Sequence, residues 1–146
     1  MSIVVCIDGA VVAPEHARVS VFDRGFRYGD SVFETVRTYF GRPFALAEHL
    51  ARLERSANLV YIPLPVPLQV LEQEVLSAVA AAGNDESYIR ITVTRGQGEL
   101  GLDPALAEKP TRVIIAGPLS PPPPTAYEEG VSVVTFRTQR PSDNTV

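Results

Sequence analysis

The sequence predicts an α+β fold in which strands before and after two consecutive helices form an antiparallel sheet. Three observations favour this fold. The first forty residues hold short β-branched runs separated by turn dipeptides, residues 46–83 carry apolar side chains at helical spacing, and residues 87–94 alternate between apolar and polar side chains. The 146 residues, 45% of them hydrophobic, suffice for one core but not for two full domains.

The first part of the chain is predicted to be β-structure. The β-branched runs that predict strands are residues 3–7, 10–13, 18–22 and 32–40. Asp8-Gly9, between the first two runs, accepts positive φ at both central positions of a tight hairpin. Gly41-Arg42-Pro43 ends the fourth run. We therefore expect an opening hairpin followed by a longer strand.

Two helices are predicted next. Apolar residues, which recur at every second position in the predicted strands, now recur at every third or fourth position. The first helix carries an apolar stripe of Leu46, Leu50, Leu53, Ala57 and Val60. The second helix has a stripe of Leu68, Leu71, Val75 and Val79. Proline is tolerated at a first helical position and glycine favours a helix end, so we expect this helix to run from Pro67 to Gly83.

Strands are predicted to resume at residues 87–94 and 112–116. Alternation places Val36, Ile89, Ile91 and Val93 on the face that the helices should cover. The opposite face collects Phe33, Thr35, Arg37, Tyr39, Tyr88 and Arg90. Periodicity alone leaves open whether these aromatic and arginine side chains line a binding pocket or a solvated outer face with cross-strand pairs.

The prolines of residues 121–124 are typical of a stiff linker. We therefore expect a small N-terminal domain over residues 1–120, a linker over residues 121–130, and the start of a second domain over residues 131–146. Residues 131–136 read as a strand, and a lone strand exposes its backbone edge in water. Either this strand folds back onto the first domain, or it is the first strand of a second domain that is missing from this chain, and the second alternative is the one we predict.

Several classes of function are disfavoured by composition. A net charge of −4 with scattered basic residues gives no stripe for nucleic acid, and no apolar run approaches the roughly 20 residues that span a membrane. Cys6 is the only cysteine, so no disulfide is expected and a cytoplasmic location is the default. His16 and His49 lie in different elements, so no metal site is predicted.

A G-x-G-x-x-G sequence at residues 96–101 follows a predicted strand, as in dinucleotide-binding folds. That fingerprint needs a helix that starts at its last glycine. Asp103-Pro104 and Lys109-Pro110 leave no room for such a helix. We expect a glycine-rich loop of another kind.

Four segments of the sequence stand out as motifs: DRGFRYGDSVFETVR at residues 23–37, FALAEHLARL at 44–53, YIR at 88–90 and TRGQGELGLDP at 94–104. In that order they resemble the RGF-YGD-VFE-R segment, the F-L-EH--RL helix, the YIR strand and the TRG-G-LGLDP loop of the class IV pyridoxal-phosphate-dependent aminotransferases. The order and spacing also match. The resemblance implies a small α+β domain joined to a larger domain that holds most of the pyridoxal 5'-phosphate (PLP), in an enzyme that is typically a homodimer.

The resemblance also assigns site residues. Arg52 falls on the arginine that binds the PLP phosphate, although on sequence alone it reads as solvated or paired with an acid such as Glu48. The positions that would line the substrate pocket are Tyr28, Phe33, Arg37, Tyr88 and Arg90. Leu100 and Leu102 fall on the loop that would reach the active site of the partner subunit.

The activity implied is transamination between an amino acid and a 2-oxo acid, with a lysine that binds PLP as a Schiff base. In the family that lysine follows a segment resembling residues 140–146, so we expect it after Val146. The only lysine here, Lys109, lies in a turn and is interpreted as a surface charge. This chain alone would therefore lack the Schiff-base chemistry and would act as part of a complete enzyme, whose remainder could be a complementary C-terminal polypeptide.

Within the family, the YIR arginine and the loop favour branched-chain aminotransferases. The loop lacks the arginine and histidine that D-amino acid aminotransferases carry for the substrate carboxylate. Aminodeoxychorismate lyase, which eliminates pyruvate, shares most of these motifs and remains an alternative, as does the D-specific enzyme. A rival of another class is a non-catalytic N-terminal fragment. The amino donor and acceptor are not predicted.

Overall fold

The computed structural model describes residues 2–138. Its six strands form one antiparallel sheet in the order β2-β1-β6-β5-β3-β4. The strands are β1 (Val4–Ile7), β2 (Ala10–Val12), β3 (Ser31–Tyr39), β4 (Arg42–Pro43), β5 (Ser87–Thr94) and β6 (Thr111–Pro118). The helices are α1 (Arg24–Tyr28), α2 (Leu46–Leu59), α3 (Leu68–Ala82) and α4 (Pro124–Glu128). The predicted α+β fold with an antiparallel sheet and two principal helices is confirmed.

One face of the sheet is covered by α2 and α3, and the hydrophobic core lies between this face and the two helices. The helices contribute Leu50, Leu53, Leu71 and Val75, and the sheet contributes Val36, Ile89, Ile91, Val93 and Ile114, all buried. Burial of each such side chain stabilises the fold by about 1.5–3 kcal/mol. The predicted division of the sheet into a covered face and an open face is therefore correct.

The opening hairpin forms as predicted, with positive φ at Asp8 (49°) and Gly9 (88°). The strand predicted at residues 18–22 is wrong, because these residues have no strand structure. Asp23 explains the difference, since its side chain accepts a hydrogen bond from the Gly25 amide at 2.7 Å and caps the short helix α1. This cap fixes a turn at the start of α1, and the preceding residues do not pair with the sheet.

The segment after β6 differs from its prediction. Residues 121–123 are irregular as expected of a linker, but Pro124–Glu128 forms α4. Residues 131–136 form no strand, and their apolar side chains are exposed, since no strand among residues 2–138 lies beside them. The division into a linker and a second domain stays a prediction, and the segment at 140–146 lies outside the described residues.

Within residues 2–138, no helix combines the length and the apolar composition required to cross a membrane.

Candidate active site

The open face of the sheet brings together four of the predicted pocket residues. Antiparallel pairing sets Arg37 opposite Tyr88 and Thr35 opposite Arg90. The Arg90 guanidinium carbon lies 3.7 Å from the centre of the Phe33 ring, and that of Arg37 lies 4.0 Å from the Tyr39 ring. A guanidinium stacked on a ring keeps its in-plane N–H groups free to bind a carboxylate. This cluster can therefore recognise a carboxylate beside aromatic surface.

Tyr88 has an altered acidity in this cluster. Hydrogen bonding by the Thr35 side chain and the nearby Arg90 guanidinium lower the pKa of Tyr88 below its ordinary value, against the smaller opposing effect of burial. Both neighbours stabilise the phenolate. The neighbours that strand pairing brings close thus lower the pKa of the Tyr88 hydroxyl on the open face of the sheet.

Thr35→Val is expected to raise the pKa of Tyr88 towards that of a free tyrosine, because the strongest stabilisation of the phenolate is lost. The measurement is a spectrophotometric titration of phenolate absorbance, with Tyr88→Phe used to assign the Tyr88 contribution. Thr92→Val, on the same face, is the control and should leave the Tyr88 titration in place. An unchanged curve for Thr35→Val would rule out the hydrogen bond as the cause.

Arg52 lies on the opposite side of the sheet from this cluster. Its Nε and Nη2 donate to the two carboxylate oxygens of Glu34, at 2.5 and 2.6 Å, and the Nδ1 atom of His49 lies 2.8 Å from Glu34 Oε2. Hydrogen bonds from Arg52 and His49 lower the pKa of Glu34 despite its burial. The acid that pairs with Arg52 is therefore Glu34 of β3, and not Glu48 of the same helix.

A cavity of about 200 Å³ opens beside Arg52. It is lined by Ala45, Glu48, His49, Arg52 and Arg55. The Arg52 side chain is 59% exposed, and its pairing with Glu34 uses Nε and Nη2, so Nη1 takes no part in that pairing. An arginine that is held on one side and open on the other fits a phosphate group.

The free edge of β3 separates this cavity from the open-face cluster. Strand β3 pairs with β5 as far as Arg37, whereas β4 pairs only with the last two residues of β3. Residues 31–36 therefore have no strand partner on their other side within the described part of the chain. Glu34 leaves the strand on one face and Phe33 on the other, so the cavity beside Arg52 and the open-face cluster lie on opposite sides of this edge.

The glycine-rich loop is attached to helix α1 by arginine side chains. Arg24, 3% exposed, donates to the carbonyl oxygens of Gly101 and Leu102 at 3.0 Å each. Arg27 donates to the carbonyls of Gly98 and Glu99 at 3.1 and 2.9 Å. These bonds fix the path of the loop without using its side chains.

The loop has no helix, as the sequence predicted; only one 3₁₀ turn, Pro104–Leu106, follows the glycines. The side chains of Leu100 and Leu102 are exposed by 76% and 81%. Tyr28 lies beside them, since its hydroxyl accepts from the Gly101 amide at 3.5 Å. These three residues therefore form a second group, next to the loop.

Asp30 links Arg24, which holds the loop, to Arg95, which binds the end of helix α2. Its Oδ2 atom accepts from Arg24 Nε at 3.1 Å and from Arg95 Nε at 2.8 Å, and Arg95 also binds the carbonyls of Val60 and Tyr61 at 2.8 Å each. Burial raises the pKa of Asp30, but hydrogen bonds from the two arginines outweigh it and hold the pKa below its ordinary value.

Sequence reasoning missed Glu34, Arg24, Asp30 and Arg95. A signal for Glu34 was available, because it is the one acidic residue at a core-facing position of a strand that alternates cleanly. Lys109 is exposed and lines a different cavity, with Arg95 and Tyr61, as expected for a surface charge.

Comparison with known proteins identifies the family. The family model described as amino-transferase class IV matches residues 31–146. The chain belongs to the class IV aminotransferases.

Class IV aminotransferases of several activities resemble this chain. A putative branched-chain-amino-acid aminotransferase of Methanocaldococcus jannaschii is 41% identical over 92% of the chain, which spans 46% of that protein. The chain thus spans about half the length of such relatives. Aminodeoxychorismate lyase and D-alanine aminotransferases also match.

Solved class IV structures share the fold. The branched-chain amino acid aminotransferase of Escherichia coli superposes with a TM-score of 0.89 and 26% identity over 98% of this chain and 49% of its own. The branched-chain aminotransferase of Thermoproteus uzoniensis, solved with norvaline, has a TM-score of 0.72 and 30% identity over 80% of this chain and 41% of its own. A further branched-chain amino acid aminotransferase of the same fold was solved with pyridoxamine 5'-phosphate. The family is PLP-dependent.

Proposed function

We propose that this chain supplies the phosphate anchor and one wall of the substrate pocket in a PLP-dependent branched-chain-type aminotransferase. The observation that carries the proposal is Arg52, which is bound to a buried carboxylate on one side and open to a cavity on the other. In this proposal Arg52 binds the cofactor phosphate, and the cavity beside it receives that group.

The open-face cluster would bind the substrate. Arg90 and Arg37 offer in-plane N–H groups to the carboxylate of an amino acid or 2-oxo acid, and Phe33 and Tyr88 offer ring surface to an apolar side chain. Tyr28 of helix α1 would add a contact beside the loop, and Leu100 and Leu102 would add contacts from the loop itself, which in the proposed homodimer reaches the partner subunit's site. Bound PLP would supply the electrophilic carbon and the electron sink for the reaction.

Proton transfer requires a lysine, and we assign it to a position after Val146, in a longer form of the chain or in a complementary polypeptide. Lys109 is not assigned this role, because it lines a cavity with Arg95 and Tyr61 and not the one at Arg52. This assignment is consistent with the match to the Methanocaldococcus jannaschii protein, of which this chain spans 46%.

Arg52→Ala is expected to weaken PLP binding about 100-fold, because charge-assisted hydrogen bonds to a phosphate contribute roughly 1.5–3 kcal/mol each. Arg52→Lys keeps the charge but loses the bidentate geometry, so its affinity should be intermediate. The measurement is a fluorescence titration with PLP. Arg18→Ala, at an exposed position, is the control and should bind PLP like the native protein. Native affinity in Arg52→Ala would reject the proposed anchor.

A donor panel separates the candidate activities. L-leucine, D-alanine and aminodeoxychorismate are offered in turn to the complete enzyme, which includes the part that carries the lysine, with 2-oxo acid formation or pyruvate release as the readout. Turnover of L-leucine is the expected result. The matches to aminodeoxychorismate lyases make pyruvate release from aminodeoxychorismate the second candidate. Absence of turnover and of PLP binding would favour the non-catalytic fragment.

A further inference from the structure

Glu34 occupies a position at which an apolar residue would be expected. Cross-strand pairing sets it in one row with Ile91, Ile114 and Cys6, all buried on the face that the helices cover. Glu34 is itself only 5% exposed. A buried carboxylate is costly unless it is paired and hydrogen-bonded, so the fold keeps a polar group where a hydrocarbon would cost less.

The ion pair at Glu34 is asymmetric. The carboxylate is buried, whereas the Arg52 side chain is 59% exposed and reaches the cavity. An exposed arginine samples many rotamers, and a ligand that binds it must overcome the entropy of fixing one of them. Two parallel hydrogen bonds to a buried carboxylate fix the plane of the guanidinium before any ligand arrives.

His49 fixes the carboxylate in turn. Its Nδ1 atom is 2.8 Å from Glu34 Oε2, and an ionised carboxylate only accepts, so Nδ1 carries the hydrogen. Arg52 Nη2 contacts the same oxygen. With both oxygens engaged, the carboxylate cannot rotate away from Arg52.

We propose that Glu34 is a positioning residue, which together with His49 holds the Arg52 guanidinium in the orientation that binds a phosphate monoester. The inference rests on the proposed function and adds to it a residue that acts through Arg52. A positioning effect of Glu34 can be told apart from an effect of its charge, because the two change phosphate affinity in opposite directions. Its negative charge disfavours an anion in the cavity, whereas its hydrogen bonds favour the orientation that binds one.

The test is PLP binding by Glu34→Gln, measured by fluorescence titration. The amide keeps the shape, removes the negative charge and places a donor against Arg52. We expect PLP affinity to fall about tenfold, in line with the loss of one charge-assisted hydrogen bond. Affinity for pyridoxal, which lacks the phosphate, should not change. PLP affinity equal to or above the native value, or an equal loss for pyridoxal, would overturn the inference.

Glu48→Gln is the matched comparison. It makes the same charge change in the lining of the same cavity without removing a partner of Arg52, so it should tighten PLP binding slightly. Weakening like that of Glu34→Gln would show that the loss does not depend on the hydrogen bonds to Arg52, against the inference. If Glu34→Gln does not fold, His49→Gln removes the imidazole that contacts Glu34 Oε2, leaves Arg52 as the partner of that oxygen, and should weaken PLP binding several-fold. Native affinity in that variant would overturn the inference.

Two further readouts separate this inference from the proposed function. Relaxation of the Arg52 side-chain ¹⁵Nε should show an ordered guanidinium in the native protein and a mobile one in Glu34→Gln; equal order in both would count against positioning. If Arg52→Ala loses PLP while Glu34→Gln retains it, the phosphate anchor stands and the positioning role fails. If neither variant changes PLP binding, the proposed function fails.

Discussion

Gly96→Ala is expected to lower the free energy of unfolding by about 4 kcal/mol, the largest effect that we predict for the addition of a single methyl group. A Cβ at this position would lie 1.6 Å from the Lys109 carbonyl oxygen, which is backbone and cannot rotate away. The backbone φ of +93° adds strain for any L side chain. The Gly96 carbonyl also accepts from the Arg24 amide at 2.8 Å, so displacement of Gly96 would disturb α1 as well.

Gly29→Ala is the matched control, because Gly29 has a φ of +68° but nothing within 4 Å of an added Cβ. It should show the backbone strain alone, roughly 1–2 kcal/mol. Urea denaturation monitored by circular dichroism measures both variants. Equal losses in the two would show that the close approach of Lys109 does not matter.

Arg24→Ala is expected to destabilise the protein by about 3–5 kcal/mol, the range for removal of one partner from a buried ion pair. The change leaves the carbonyls of Gly101 and Leu102 without their donor and leaves Asp30 with Arg95 as its remaining arginine partner. The loop should become mobile, which limited proteolysis at residues 99–103 would report.

Arg18→Ala removes the same side chain at an exposed position and should change the unfolding free energy by less than about 0.5 kcal/mol. A small loss in Arg24→Ala with an intact loop would mean that the backbone bonds between α1 and the loop hold these segments without the guanidinium.

Most of the core could be predicted from the sequence because its signals are local. The alternation of β5 lies within one element and is confirmed. The apolar stripe of α2 is confirmed for Leu46, Leu50, Leu53 and Ala57, but not for Val60, which follows the end of the helix and is 44% exposed. The predicted strand at 18–22 fails because the cap at Asp23 and its bond from Thr94, 71 residues away, decide the path of the chain there. Local strand propensity depends on neighbouring residues and cannot predict a partner so distant in the sequence.

The candidate site was predictable in part for the same reason. Strand alternation placed Phe33, Arg37, Tyr88 and Arg90 on one face, and pairing brings them together. The Arg52 partner was not predictable from helical spacing, since Glu34 lies 18 residues earlier, on another element. Whether the paired residues bind PLP and substrate stays a prediction.

The attachment of the glycine-rich loop has a consequence for how this site can be altered. Arg24 and Arg27 hold the loop through the carbonyls of residues 98, 99, 101 and 102, and every amino acid has a carbonyl. The side chains at 99, 100 and 102 can therefore be exchanged while the loop keeps its place. A library varied at these three positions would sample new substrate preferences on one scaffold, and the same freedom is open to natural divergence.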